Sequence, residues 1–136
     1  MKSKGSRAER ELLHMFWETG KWAALRAPGS GSMPRPCPDV LAGNGKRYIA
    51  VECKSIKADR KYFDKKEIDD LIEFSRLFGA EPWIGMRFDN MKWYFLKIEE
   101  LGSSKGGMAY ASKELVMKKG LTFEELIGEF LQKKIA

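Results

Sequence analysis

The sequence predicts an α/β domain in which helices pack on a mixed β-sheet. Three observations carry that expectation. Apolar residues recur at helical spacing in two separate stretches, Ser6 to about Gly20 and Asp64 to about Phe78. Between them runs a buried-strand signal, Tyr48-Ile49-Ala50-Val51, preceded by the hairpin signal Gly43-Asn44-Gly45. Pro82 to Phe88 and Lys92 to Ile98 then alternate as strands about the turn Asp89-Asn90-Met91.

At 136 residues the chain has the size of one domain, so residues 1–136 are taken as a single unit with its own core. An apolar fraction of 43% with 32% charged residues marks a soluble globular protein. No apolar run approaches the roughly 20 residues that span a bilayer, and no signal peptide is expected. Cys37, Cys53 and a single histidine make no zinc set, and the two thiols suit a reducing cytoplasm. Basic residues exceed acidic ones by six, unevenly: residues 1–66 hold fifteen basic and seven acidic side chains, residues 67–136 ten and twelve. A basic half draws in a polyanion such as a nucleic acid.

In chain order, Glu9, Leu12, Leu13 and Phe16 fall at i, i+3, i+4 and i+7. The first helix therefore has an apolar face that begins with Glu9, and this places a carboxylate where that face meets the sheet. A first-turn glutamate is also favoured by the helix dipole alone. His14 lies on a neighbouring face and reads as a surface residue. Lys21 to Ala27 is a short strand ending in Arg26. The loop from Pro28 to Cys37 holds three of the five prolines, and with no Gly-Lys-Ser/Thr it is not a phosphate-binding P-loop.

The next segment carries the chemistry. Alternation along the strand sends Tyr48, Ala50, Glu52 and Lys54 to one face and Ile49, Val51 and Cys53 to the other, into a core. If the hairpin closes through a two-residue loop, Asp39 shares the Glu52 face as its diagonal cross-strand neighbour, roughly 7–8 Å away at the backbone. A three-residue loop would reverse that parity and remove the site. Two carboxylates and a lysine on one sheet face suit metal-assisted hydrolysis. Hard oxygen ligands select magnesium, with manganese a substitute. A metal so held polarises a phosphoryl oxygen, and the lysine positions the attacking water. A polar sheet face with a Glu–Lys pair on show is the bland alternative.

Ser55 to Phe63 reads as a basic turn after the site, whose Lys57, Arg60 and Lys61 would meet phosphates rather than read bases. Asp64-Lys65-Lys66-Glu67 forms a capping box for a helix that Gly79 stops. Its core face is Ile68, Leu71, Ile72 and Ser75. Leu71, Phe74 and Phe78 make a second stripe, too much for one buried face, and so call for a partner. Trp83, Trp93, Tyr94 and Phe95 read as core or subunit interface before base stacking. Gly102 to Met108 is a flexible loop, and Thr122-Phe123-Glu124-Glu125 caps a last helix with Leu126, Ile127, Phe130 and Leu131 inward.

Pro38-Asp39, twelve residues, then Glu52-Cys53-Lys54 resembles the PD-(D/E)XK nuclease signature. The surroundings resemble one branch of it, the archaeal Holliday junction resolvases of the Hjc family. Lys4-Gly5-Ser6-Arg7-Ala8-Glu9-Arg10-Glu11-Leu12, Leu25-Arg26-Ala27-Pro28-Gly29-Ser30-Gly31-Ser32, Asp39-Val40-Leu41-Ala42-Gly43-Asn44-Gly45 and Leu71-Ile72-Glu73-Phe74-Ser75-Arg76-Leu77-Phe78-Gly79 carry it in order. It covers roughly residues 1–100, and the tail beyond residue 102 matches only loosely. The resemblance implies a restriction-endonuclease-like sheet and resolution of four-way DNA junctions by paired symmetric nicks. It implies a metal held by Asp39 and Glu52 with Glu9, DNA contact by Arg10 and Arg26, and a serine at Ser30 or Ser32 that matters for cleavage. It further implies a homodimer through the helix bearing Leu71, Phe74 and Phe78. A twofold dimer would supply the two sites that paired nicks need. Another nuclease of this fold acting on duplex or flap DNA, and a non-catalytic DNA-binding module, are the alternatives.

Overall fold

The computed structural model describes residues 4–27 and 34–128. Helix α1 (Lys4–Glu18) is followed by strands β1 (Ala23–Arg26), β2 (Val40–Gly43) and β3 (Tyr48–Ile56). Next come β4 (Arg60–Phe63), helix α2 (Lys65–Phe78), β5 (Glu81–Phe88) and β6 (Tyr94–Leu96). Strands β7 (Gly102–Ser103) and β8 (Ala109–Ser112) and helices α3 (Lys113–Lys119) and α4 (Phe123–Leu126) complete the described chain. The main sheet has the order β1-β2-β3-β5-β6 and is mixed: β3 and β5 run parallel, joined by a crossover that contains α2, and the other pairs are antiparallel. A second sheet, β4-β8-β7, stands beside it.

Strand β3 is central, and its alternation divides the interior. Ile49, Val51 and Cys53 join Ala8, Leu12 and Phe16 of α1 and Phe123 and Leu126 of α4 in one core. Ala50 belongs to the other core, with Phe63, Leu71, Ile84 and Met86. Trp83, Trp93 and Phe95 are 5% exposed or less, so the aromatic bulk of β5 and β6 packs the interior. Leu126 and Ile127 are buried as expected, while Phe130 and Leu131 lie outside the described residues.

The hairpin between β2 and β3 has a two-residue loop, Gly45-Lys46, one position later than Asn44-Gly45 would place it. Asn44 N–H donates to Arg47 O at 3.1 Å, and the Asn44 side chain accepts from the N–H groups of Lys46 and Arg47. Gly45, at φ 92°, supplies the positive φ that such loops need. The parity survives, but the register moves by two residues: Val40 pairs with Val51, which sets Asp39 level with Glu52 instead of diagonal to it.

Three other expectations change. The segment after β3 is not all turn, since Arg60–Phe63 pairs with Ala109–Ser112. Residues 102–108 are not all loop, since Gly102–Ser103 forms β7. Ile72 leaves the core face of α2 and is 43% exposed, because Leu71 and Ser75 already fill the line facing the sheet.

Candidate active site

Strand β3 delivers Glu52 and Lys54 to the face on which α2 packs, with Cys53 between them in the opposite core. Asp39, just ahead of β2, is fixed from three directions. Its N–H donates to Val51 O and its C=O accepts from Ala27 N–H, both at 3.0 Å. Its Oδ2 accepts the Cys53 N–H at 2.7 Å. The Asp39 carboxyl lies near enough to that of Glu52 for each to shift the other's titration. The sequence-predicted Asp39, Glu52 and Lys54 therefore meet at one point.

Lys54 Nζ lies 3.7 Å from Glu52 Oε2 and 2.5 Å from Glu67 Oε2. The other Glu67 oxygen accepts the Asp64 N–H at 3.1 Å and caps α2. Glu67 thus ties the lysine to the start of the helix. A sequence reading assigns it the cap alone, because nothing in spacing reveals that the cap lies within reach of Lys54. A similar tie stands on the α1 side, where Arg26 donates to Glu9 Oε1 from Nε at 3.2 Å and from Nη2 at 3.1 Å, and from Nη2 to Ser6 Oγ.

These settings push the acids apart in strength. Burial, then the negative charge of Asp39, raises Glu52 to about 8. Burial raises Asp39 to about 6, with the Glu9 charge adding to it and the Cys53 N–H opposing it. Two carboxyls this close cannot both ionise cheaply without a cation, and they titrate as a pair. Burial would depress Lys54, but the Glu67 hydrogen bond and the charges of Glu67, Glu52 and Asp39 outweigh it and hold the ammonium above its usual range.

The donor set suits a hard divalent cation: two half-buried carboxylates, with water and phosphate oxygens for the remaining positions, as magnesium prefers. Among the described residues no three His, Cys, Asp or Glu side chains lie close enough to hold one ion. Glu9 therefore does not complete a three-carboxylate set in this conformation, because Arg26 occupies it.

The other expected site residues are scattered around this point. Arg10 is half-buried and Lys57 exposed, and among the described residues neither has an ion-pair partner. Lys61 is half-buried. Arg60 is exposed, and its guanidinium stacks 4.0 Å over the Tyr110 ring. Ser30 and Ser32 lie outside the described residues. Leu71 is 2% exposed and packs the sheet-side core, so it presents nothing to a second subunit. Phe78 is 51% exposed and stacks on Phe74 with centroids 5.2 Å apart. Beyond these, Glu11 joins α1 to the sheet by accepting from Arg87 at 2.9 Å and from Trp93 Nε1 at 2.7 Å.

Residues 1–135 match the family model described as archaeal Holliday junction resolvase (hjc). The chain belongs to the Hjc family. The crossover junction endodeoxyribonuclease Hjc of Archaeoglobus fulgidus is 40% identical over 134 residues, which are 98% of this chain and 96% of that protein. The Hjc of Methanocaldococcus jannaschii is 32% identical over 132 residues, 97% and 92% of the two chains. The 1.6 Å structure of the Archaeoglobus fulgidus Hjc, a Holliday junction resolvase, superposes with a TM-score of 0.82 at 34% identity. It covers 91% of this chain and 100% of that one. The likeness to Hjc thus extends through the tail, where sequence patterns alone were weak.

Proposed function

We propose that this chain is a structure-specific endodeoxyribonuclease that resolves four-way DNA junctions in recombination and repair, using magnesium. The observation that carries the reading is the Asp39–Glu52 pair beside Lys54, raised out of the ordinary carboxyl range, in a chain of the Hjc family. Asp39 and Glu52 hold the cation, with manganese a substitute. When bound, the cation offsets charge on the scissile phosphate and lowers the pKa of a water. Lys54, steadied by Glu67, orients the attacking water and stabilises the charge that develops. Arg10 and Arg26 bind the phosphodiester backbone, Arg26 exchanging Glu9 for phosphate. Such contacts position DNA without reading its sequence.

Two paired nicks need two sites in fixed relation, and a twofold homodimer supplies them. The face of α2 with Phe74, Leu77 and Phe78 supports this reading: together with Arg35 and Pro36 it lines an apolar depression of about 560 Å³. Leu77 is 69% exposed. A monomer at micromolar concentration in light scattering would sink the dimer. No described helix is long and apolar enough to cross a membrane, and the free thiols Cys37 and Cys53 suit a cytoplasmic enzyme.

The deciding experiment is cleavage of a labelled four-way junction beside its linear duplex, with magnesium, by the native protein and Asp39→Asn. Paired symmetric nicks confined to the junction and lost in the variant are expected. Cleavage of both DNAs discards junction selectivity, and binding without cleavage discards the catalytic site.

A further inference from the structure

The small sheet has an outward face that the catalytic chemistry does not use. Alternation turns Phe63 and Ala111 into the core, at 1% and 0% exposure, and leaves Arg60, Tyr62 and Tyr110 on the outer side. Tyr62 and Tyr110 are cross-strand partners with ring centroids 5.9 Å apart. The Arg60 guanidinium lies 4.0 Å over the Tyr110 ring. Tyr110 lies down across its β7 partner Gly102, where a Cβ would come within 2.3 Å of the ring. Only glycine leaves that space. Tyr62 is 44% exposed. Two rings and a guanidinium are thus held side by side at the surface, although the sheet already buries its apolar side in the core.

Location and charge say what would lie on them. Phe63 points to the inner side of β4, opposite to its neighbour Tyr62, and its ring lies 5.9 Å from Lys54 Nζ, so the strand that carries Tyr62 ends beside the candidate site. Residues 54–66 hold six basic and two acidic side chains, which suits a polyanion. A single phosphate contact is alike on continuous and branched DNA and cannot by itself tell them apart. Base faces can. A continuous duplex covers every internal base pair with its neighbours, whereas strand exchange interrupts the stack and opens a base-pair face once the arms splay. Tyrosine rings and arginine guanidinium planes stack on such faces whatever the base.

We propose that Arg60, Tyr62 and Tyr110 form a stacking platform for the open base face at a DNA branch point, favouring branched over continuous DNA. The proposal rests on the junction-resolvase reading above. Its test is equilibrium binding without divalent metal, to a four-way junction and to its linear duplex, by the native protein, Tyr62→Ala and Tyr62→Phe. A 2-aminopurine at the branch point reports stacking directly. Tyr62→Ala should weaken junction binding about tenfold, within the range of one base–aromatic stack. It should leave duplex binding unchanged and abolish the 2-aminopurine change, and Tyr62→Phe should restore both. Gly102→Ala, which displaces the Tyr110 ring, should act in the same direction. Equal loss on junction and duplex, or no loss with an unchanged 2-aminopurine signal, overturns the platform while native discrimination preserves the resolvase reading. A native protein that does not prefer the junction overturns both.

Discussion

Two kinds of carboxylate sit on this fold. Glu11, Glu67 and Glu81 each lie against a cation, Arg87, Lys54 and Arg47, and each is held below the ordinary carboxyl range. Asp39 and Glu52 lie against one another in a half-buried place and are pushed up to about 6 and about 8. The first kind joins elements: Glu11 ties α1 to β5, Glu67 ties α2 to β3, and Glu81 ties β5 to Arg47 at the start of β3. The second joins nothing that could not be joined more cheaply by apolar residues. Each acid of the first kind has a cation in close contact, whereas the pair has only Lys54, 3.7 Å from Glu52 and held more tightly by Glu67, and the proposed metal ion would supply the missing positive charge.

The strongest way to break that contrast is to neutralise the second kind. Asp39→Asn or Glu52→Gln should cut junction cleavage more than about 100-fold, beyond what a group behind a metal ligand contributes. Junction binding, measured without metal, should persist. A variant that cleaves within tenfold of the native protein would place the cation elsewhere.

Neutralising Glu67 should act next most strongly. Glu67→Gln keeps an acceptor for the Asp64 N–H but removes the charge that holds Lys54 at 2.5 Å. Cleavage should fall roughly 10- to 100-fold, as for other groups that orient a catalytic one. The loss should appear in kcat with little change in KM, and Glu67→Asp should recover part of it. A loss confined to KM would mean that Glu67 bears on DNA binding instead.

The two kinds of acid also oppose each other in pH dependence. Asp39 and Glu52 have raised folded pKa values, so from about pH 4 to 8 the folded protein holds protons that the unfolded chain has lost. Stability without metal therefore falls as pH rises through that window. Glu11, Glu67 and Glu81 are depressed, so their contribution is present at neutral pH and is lost as pH falls below about 4.5. The metal-free Tm should peak near pH 5 and decline toward pH 8. Glu52→Gln should flatten the decline, and added magnesium should raise Tm more at pH 8 than at pH 5. A Tm that rises steadily from pH 5 to 8 would contradict the raised pair.

The pair was legible from the sequence and its ties were not. Alternation along Tyr48–Lys54 is local, so it names the face that Glu52 and Lys54 share, and hairpin parity carries Asp39 onto it. The register shift to Gly45-Lys46 came from the Asn44 side chain capping two N–H groups, a competition between neighbouring turns that pattern reading does not resolve. Glu67 reaching Lys54 and Arg26 reaching Glu9 depend on how α2 and α1 seat on the sheet, at separations of 13 and 17 residues. Strands β4, β7 and β8 lack a clear sequence signal because each has at most four residues, and β4 pairs with β8 about 50 residues away.

The smallest effect expected belongs to the acids of the first kind that lie far from the site. Arg47 makes a two-pronged contact with Glu81, 2.8 Å from each nitrogen, and its Nη1 donates to Leu126 O at 2.9 Å. The two side chains are 34% and 41% exposed, so solvent screens much of the attraction. Glu81→Gln should therefore cost only about 1 kcal/mol in chemical denaturation and leave junction cleavage untouched, whereas Glu67→Gln loses cleavage with a similar change in stability. Equal losses of cleavage in the two variants would mean that general loosening, and not the hold on Lys54, sets the rate.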